Sequence, residues 1–291
     1  MIQTGMIGEG VSKLSDPDFL KSNQYHSAVN INKRIALHEQ FNTNPTSWPD
    51  WIFRHLAVEE EQKILAVGCG NAAQWRENTP KFPTSVRITL MDLSIGMLVD
   101  ACDHLPDGEK RFRMTTGDAQ YLPFPPAIFD RVTANHMLYH VPSIDKAIAE
   151  CARVIKPEGL FMATTIGGSH MTDLYRLLIE FDQAFTPPAG AGRRFGLANG
   201  GGYLSECFSE VYRQVFDCDL WVTDPQPLVN YAFSMWSVED SIAMEKAGAM
   251  RDFFAEKMRA EGGILIRKET GLFLASKTSG LIESLGVLRA V

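Results

Sequence analysis

Two glycines separated by one residue, Gly68 and Gly70, close the apolar run Lys63-Ile64-Leu65-Ala66-Val67, and Asn71-Ala72-Ala73-Gln74-Trp75 follows with residues able to open a helix. Glycine at both positions lets the backbone approach a ligand, because a Cβ would collide there, and the turn aims N–H groups at whatever is bound. The pattern predicts a cradle for a nucleotide-like cofactor, although short G-x-G segments also occur in ordinary tight turns. Asp92, 22 positions beyond Gly70, ends a second strand-like run, Arg87-Ile88-Thr89-Leu90-Met91. A carboxylate there can accept both hydroxyls of a ribose; its competing role is to cap the helix opened by Leu93-Ser94. After a third run comes Asp118-Ala119-Gln120. The acid can reach an adenine amino group while small Ala119 leaves room for the ring, against a plain turn capped by Asp118.

Candidates for proton transfer are His140, His136, His170 and Tyr25. His136 would serve equally as a packed, hydrogen-bonded side chain. Arg34 is a long cation that could pair with a cofactor carboxylate or sit at the surface as a capping residue. No His, Cys and carboxylate cluster has ligand spacing, so no metal is expected.

These residues must be held by alternating strands and helices. Residues 111–115, Phe129–Asn135 and Leu160–Ile166 read as further strands, and Ile144, Ala147, Ile148, Cys151 and Ile155 fall on one helical face between the last two. Such alternation predicts a largely parallel sheet. Asp16-Pro17 can start a helix, and residues 31–41 and 48–56 carry apolar faces at helical spacing. Residues 1–15, rich in Gly and Ser, are expected to be mobile until a partner or substrate orders them.

With 291 residues, 45% of them hydrophobic, the chain can bury a full core. A net charge of -7 argues against a phosphate-backbone binder, so no nucleic-acid partner is expected. The five scattered cysteines suit neither zinc nor a disulfide framework and read as reduced thiols. No basic segment followed by a long apolar stretch opens the chain, and no apolar run of about 18 residues occurs. A cytoplasmic protein with no membrane partner is the expectation.

In order, GCGNAAQW, MDLSIGML, GDAQYLPFPPAIFD, ANHMLYHV and ARVIKPEGLF resemble the successive motifs of class I S-adenosylmethionine-dependent methyltransferases, over about residues 60–168. The resemblance implies a Rossmann-like, doubly wound, mostly parallel seven-stranded sheet. It implies S-adenosylmethionine as cofactor, with Gly68, Cys69 and Gly70 at its methionine part, Asp92 and Leu93 at the ribose, and Asp118 and Ala119 at the adenine. Asn135 and His140 would edge the reaction centre. The chain departs from the family in having Ala66 where an acid is usual and Ala72 where a third glycine is common. Asn135, Arg34 or a backbone carbonyl must then serve the missing acid's ends. A nicotinamide-type dinucleotide oxidoreductase would use the same fold, but Ala73 is a poorer substitute for its third glycine, and the later motifs have no counterpart there. A binding module without catalysis is the third reading.

The organisation expected is an N-terminal helical arm or cap over 1–56, a cofactor core over 57–168, and the rest of the sheet over 169–291. A Met- and aromatic-rich helical insertion at about 225–262 would form a substrate lid. Val215–Val222 reads as a sixth strand, residues 264–268 and 271–275 as a terminal hairpin or extended pair, and glycine-rich 187–202 as a mobile loop. The expected acceptor is a mid-sized, largely apolar small molecule such as a specialised metabolite, methylated on nitrogen, oxygen or carbon, the last on an isoprenoid alkene. A homo-oligomer through the N-terminal helices is also expected.

Overall fold

In a computed structural model, which describes residues 13–106, 109–188, 191–239 and 241–289, five strands form the parallel part of a central sheet. They are β1 (Lys63–Val67), β2 (Arg87–Asp92), β3 (Phe112–Thr116), β4 (Phe129–Asn135) and β5 (Ile155–Ile166). Four more follow: β6 (Glu210–Val215), β7 (Leu220–Val222), β8 (Ile264–Ile266) and β9 (Thr270–Ser276). The sheet order is β3-β2-β1-β4-β5-β9-β6, with β9 antiparallel to both neighbours. Strand order reverses between β1 and β4, which opens a crevice at the carboxyl ends of the strands. Side chains alternate between two buried faces: Ile64 and Ala66 join one apolar cluster, Leu65 and Val67 the other.

The helices are α1 (Val29–Phe41), α2 (Trp48–Leu56), α3 (Ala73–Asn78), α4 (Ile95–His104), α5 (Ile144–Val154), α6 (Thr172–Phe181), α7 (Gly200–Ser205), α8 (Pro225–Ala232) and α9 (Ala247–Glu261). Their starts follow local chemistry. Ser47, Ser94 and Asp224 accept backbone N–H groups in the first turns of α2, α4 and α8. Asp16 accepts from Asp18 and Phe19, as its sequence position predicts, but the turn it starts passes at once into a π-helical turn, Leu20–Gln24. Of residues 1–15, expected to be mobile, 1–12 lie outside the described residues, and Leu14 is held through its carbonyl at His140 Nδ1.

Two strand expectations are corrected. The chain leaves the sheet after Val215, because Asp217 and Asp219 give their carbonyls to Asn44 and Thr43 beside the arm, and β7 then pairs with β8 in a separate two-stranded sheet. Ile264–Ile266 and Thr270–Ser276 are both extended but form no hairpin: the N–H groups of Arg267, Lys268 and Glu269 go to Asp173, Asp219 and His170 instead of a facing strand. The glycine-rich stretch is also more regular than its composition suggests, with a helical turn at Ala191–Arg194 and α7 from Gly200.

The arm and the late insertion pack together as one cap. Leu37 and Phe41 of α1 are buried with Leu174 and Leu178 of α6, Leu228 and Tyr231 of α8, and Met250 and Phe254 of α9. The Met and aromatic stripe of the insertion is therefore largely core, and its inner edge, with Tyr231 and Met235, roofs a cavity.

Candidate active site

The cavity encloses about 620 Å³ at the carboxyl ends of β1, β2, β4 and β5, under the cap. The candidate catalytic and cofactor-binding residues all line it. Gly68 and Gly70 have φ of +64° and +56°, in the left-handed region that glycine adopts freely. A Cβ on Gly68 would lie 2.8 Å from Met137, whereas one on Gly70 would meet only Ile31, at 3.7 Å. Ala72 also holds a left-handed φ of +58°. The conformation that a third glycine would ease is thus kept by an alanine.

Asp92 joins the two motifs. Its Oδ2 accepts the Gly70 N–H and its Oδ1 the Ser94 N–H, each at 2.9 Å. The helix cap is Ser94, whose Oγ accepts from Met97, so each Asp92 oxygen keeps acceptor capacity for a ligand hydroxyl. Burial pushes the carboxyl up, while amides of Ser94, Gly70 and Leu93 oppose the shift. The Cys69 thiol is held well above its ordinary range by burial and then by Asp92, so it stays protonated. At the other end Asp118 does form the turn, accepting the Gln120 N–H at 2.8 Å and its Nε2 at 3.1 Å. It lines the cavity beside buried Ala119 all the same.

The strand register answers what stands opposite Ala66. Ala66 pairs with Thr133 of β4, and Asn135, two residues on, shares that face. Thr133 Oγ1 and Asn135 Oδ1 are both buried without a hydrogen-bond partner. Unpaired buried acceptors are costly, and here two of them edge the cavity where β1 offers only a methyl group. Thr133 escaped the sequence reading because its meaning depends on the residue across the ladder.

Tyr25 and His140 come together. The Tyr25 hydroxyl lies 2.9 Å from His140 Nε2, and His140 Nδ1 lies 2.9 Å from the Leu14 carbonyl. A carbonyl only accepts, so Nδ1 carries the proton, Nε2 is the acceptor, and Tyr25 donates. Burial lowers His140 to about 4, with Arg34 and Arg194 adding to it and the Leu14 bond opposing; the ring is neutral at pH 7. Arg34 reaches the cavity too, but its Nε and one Nη donate to the Ser234 hydroxyl and carbonyl, tying α1 to the segment after α8.

His136 and His170 belong to a second group, at the far side of the cavity. His136 sits in the left-handed region (φ +51°) with its ring 5.4 Å from that of Trp48. Burial, followed by Lys268, lowers His136 to about 4 and His170 to about 3. His38 lies with them, its ring 6.3 Å from His170. Lys268 carried no sequence signal, since it lies between two short strands and enters the site only through tertiary packing.

A crevice at a strand-order reversal, a glycine turn after the first strand and an acid ending the second define a Rossmann-like nucleotide-cofactor protein, with an antiparallel strand inserted near one edge. Residues 65–163 match the family model described as a methyltransferase domain. Over this stretch the chain is similar to methyltransferases. The malonyl-[acyl-carrier protein] O-methyltransferase of Geobacter sulfurreducens is 32% identical over 115 residues, 40% of this chain and 42% of that protein. The ubiquinone/menaquinone biosynthesis C-methyltransferase of Paracoccus denitrificans is 33% identical over 122 residues, 40% of this chain and 46% of that protein. The chain thus spans less than half the length of these curated relatives. A Haemonchus contortus phosphoethanolamine N-methyltransferase solved in complex with S-adenosyl-L-methionine shares the fold, with 18% identity and a TM-score of 0.54 over 90% of this chain and 60% of that one. Among the described residues no helix is long and apolar enough to cross a membrane, and no group of three or more His, Cys, Asp and Glu could hold a metal ion.

Proposed function

We propose that this chain transfers the methyl group of S-adenosylmethionine to a mid-sized, largely apolar small molecule held beneath the cap. The observation that carries the reading is Asp92, one carboxylate bound to the N–H groups of both Gly70 and Ser94 at the edge of the cavity. The orphaned acceptors Thr133 and Asn135 and the glycine turn fit the group as well. In this reading Gly68, Cys69 and Gly70 hold the methionine part, with Thr133 and Asn135 accepting from its ammonium in place of the acid absent at Ala66. Asp92 and Leu93 hold the ribose, Asp118 and Ala119 the adenine, and Arg34 stands as the cation for the methionine carboxylate. The bound cofactor supplies an electrophilic methyl group with a good leaving group.

The protein's share is then alignment and exclusion of water. Tyr139, Tyr175, Tyr231 and Met235 give the acceptor an aromatic and apolar wall. Tyr25, oriented by His140, accepts a hydrogen bond from an acceptor hydroxyl or amine and so turns its lone pair toward the methyl group. The relative named for ubiquinone/menaquinone C-methylation supports a small-molecule acceptor, with a specialised metabolite in keeping with the apolar roof. Five free thiols suit a cytoplasmic enzyme, and the exposed Val29 on α1 offers a contact for a second copy. A screen with methyl-labelled cofactor against compound panels and extracts tests the reading. Label on small molecules is expected; label only on RNA or protein, or none anywhere, would overturn it.

A further inference from the structure

The far end of the cavity gathers donors and positive charge without a counter-charge. His38 of α1, His136 after β4, His170 after β5 and Lys268 before β9 all line it. The charged or imidazole neighbours of His38 are Lys268, His170, His136 and Arg34, and its ring meets the Tyr231 ring at 5.7 Å. His38 Nδ1 is buried with no hydrogen-bond partner. His170 Nδ1 accepts the Glu269 N–H at 3.3 Å, which leaves the ring proton on Nε2 as a donor. Lys268 Nζ lies 3.3 Å from Cys218 Sγ and 5.9 Å from the Phe216 ring centre. Among the described residues no carboxylate lies within ion-pair distance of it. The acids beside it are used elsewhere: Asp219 accepts the Lys268 backbone N–H at 2.9 Å, and Glu269 accepts the N–H and hydroxyl of Ser169 at 2.8 and 2.7 Å.

A half-buried ammonium facing a protonatable cluster with no anion is an unfavourable arrangement that a bound anion would relieve. We propose that the acceptor carries a carboxylate, seated between Lys268, His38 and His170, while its apolar body lies under the aromatic roof; this rests on the methyltransferase reading above. One permanent positive charge, flanked by neutral imidazoles, matches a monoanion. The cofactor's own carboxylate is the other possible source. The glycine turn follows β1, however, whereas His170 follows β5 and Lys268 precedes β9, two and three strand positions away, which is roughly 10–14 Å at the usual strand spacing.

Calorimetry on the full chain with S-adenosylhomocysteine present tests this, using 1-naphthoate and decanoate against 1-naphthamide and decanamide. At least one acid is expected to bind about tenfold or more tightly than its amide. Lys268→Met should erase the preference while leaving the affinity for S-adenosylhomocysteine unchanged, and His38→Gln should weaken it should the lysine variant not fold. Equal binding of acids and amides, or no binding by either acid, would overturn the proposal. A loss of S-adenosylhomocysteine affinity in Lys268→Met would also overturn it, by assigning the chamber to the cofactor. An acid preference in a protein that binds no S-adenosylhomocysteine would instead sink the methyltransferase reading.

Discussion

Tyr25 illustrates how one hydroxyl depends on a chain of partners. Its bond to His140 exists because Leu14 fixes the imidazole tautomer, and both side chains are partly buried where they line the cavity. Tyr25→Phe should therefore cost about 0.5–1.5 kcal/mol of stability, the net worth of a hydrogen bond between partly buried groups. Urea unfolding of the two proteins measures it; equal midpoints would show that the bond does not form. The dyad was only half legible in sequence. Both residues qualify by type, yet 115 positions separate them, and only packing of the arm over β4 brings them together. Asp92 was legible because a strand end has few places to put an acid. Thr133 and Lys268 were not, since their significance lies in Ala66 across the ladder and in three histidines from remote segments.

The strand, glycine turn and helix of Lys63–Asn78 form the element on which cofactor geometry depends. Gly68 combines a left-handed φ with a Cβ path blocked by Met137 at 2.8 Å, so Gly68→Ala should destabilise the fold by about 1–3 kcal/mol through strain alone. Thermal melting would show it, and an unchanged midpoint would mean that the turn relaxes freely. Elements were read best where periodicity came from burial on both faces of the sheet. β4 spans Phe129–Asn135, as its pattern predicts. The readings failed beyond Val215, where side chains of Asp173, Asp219 and His170 take backbone N–H groups that a hairpin would have used. Such replacement leaves no trace in apolar spacing.

At the scale of the whole molecule, the cavity keeps several histidines neutral. Burial lowers His136 and His140 to about 4 and His170 to about 3, and pushes His38 well below its ordinary value. Above pH 6.5 neither folded nor unfolded chain protonates these rings appreciably, so their stability contribution is complete. As pH falls below 6.5 the unfolded chain takes up protons that the folded one refuses, and stability is lost until the folded values near 4 and 3 are passed. Each ring contributes at most about 1.4 kcal/mol per pH unit. With cavity water reducing this, a loss on the order of 2–4 kcal/mol is expected between pH 6.5 and 5. Denaturant unfolding across that range checks it, and a flat profile would mean that the rings are solvated. The central claim, however, is that the crevice at the strand-order reversal holds S-adenosylmethionine through Asp92. Calorimetric titration of wild type and Asp92→Ala with S-adenosylmethionine tests it most directly. The account predicts binding by the wild type and a loss of about 1.5–3 kcal/mol in the variant, the worth of charge-assisted hydrogen bonds to the ribose. Equal affinities, or no binding by the wild type, would contradict it.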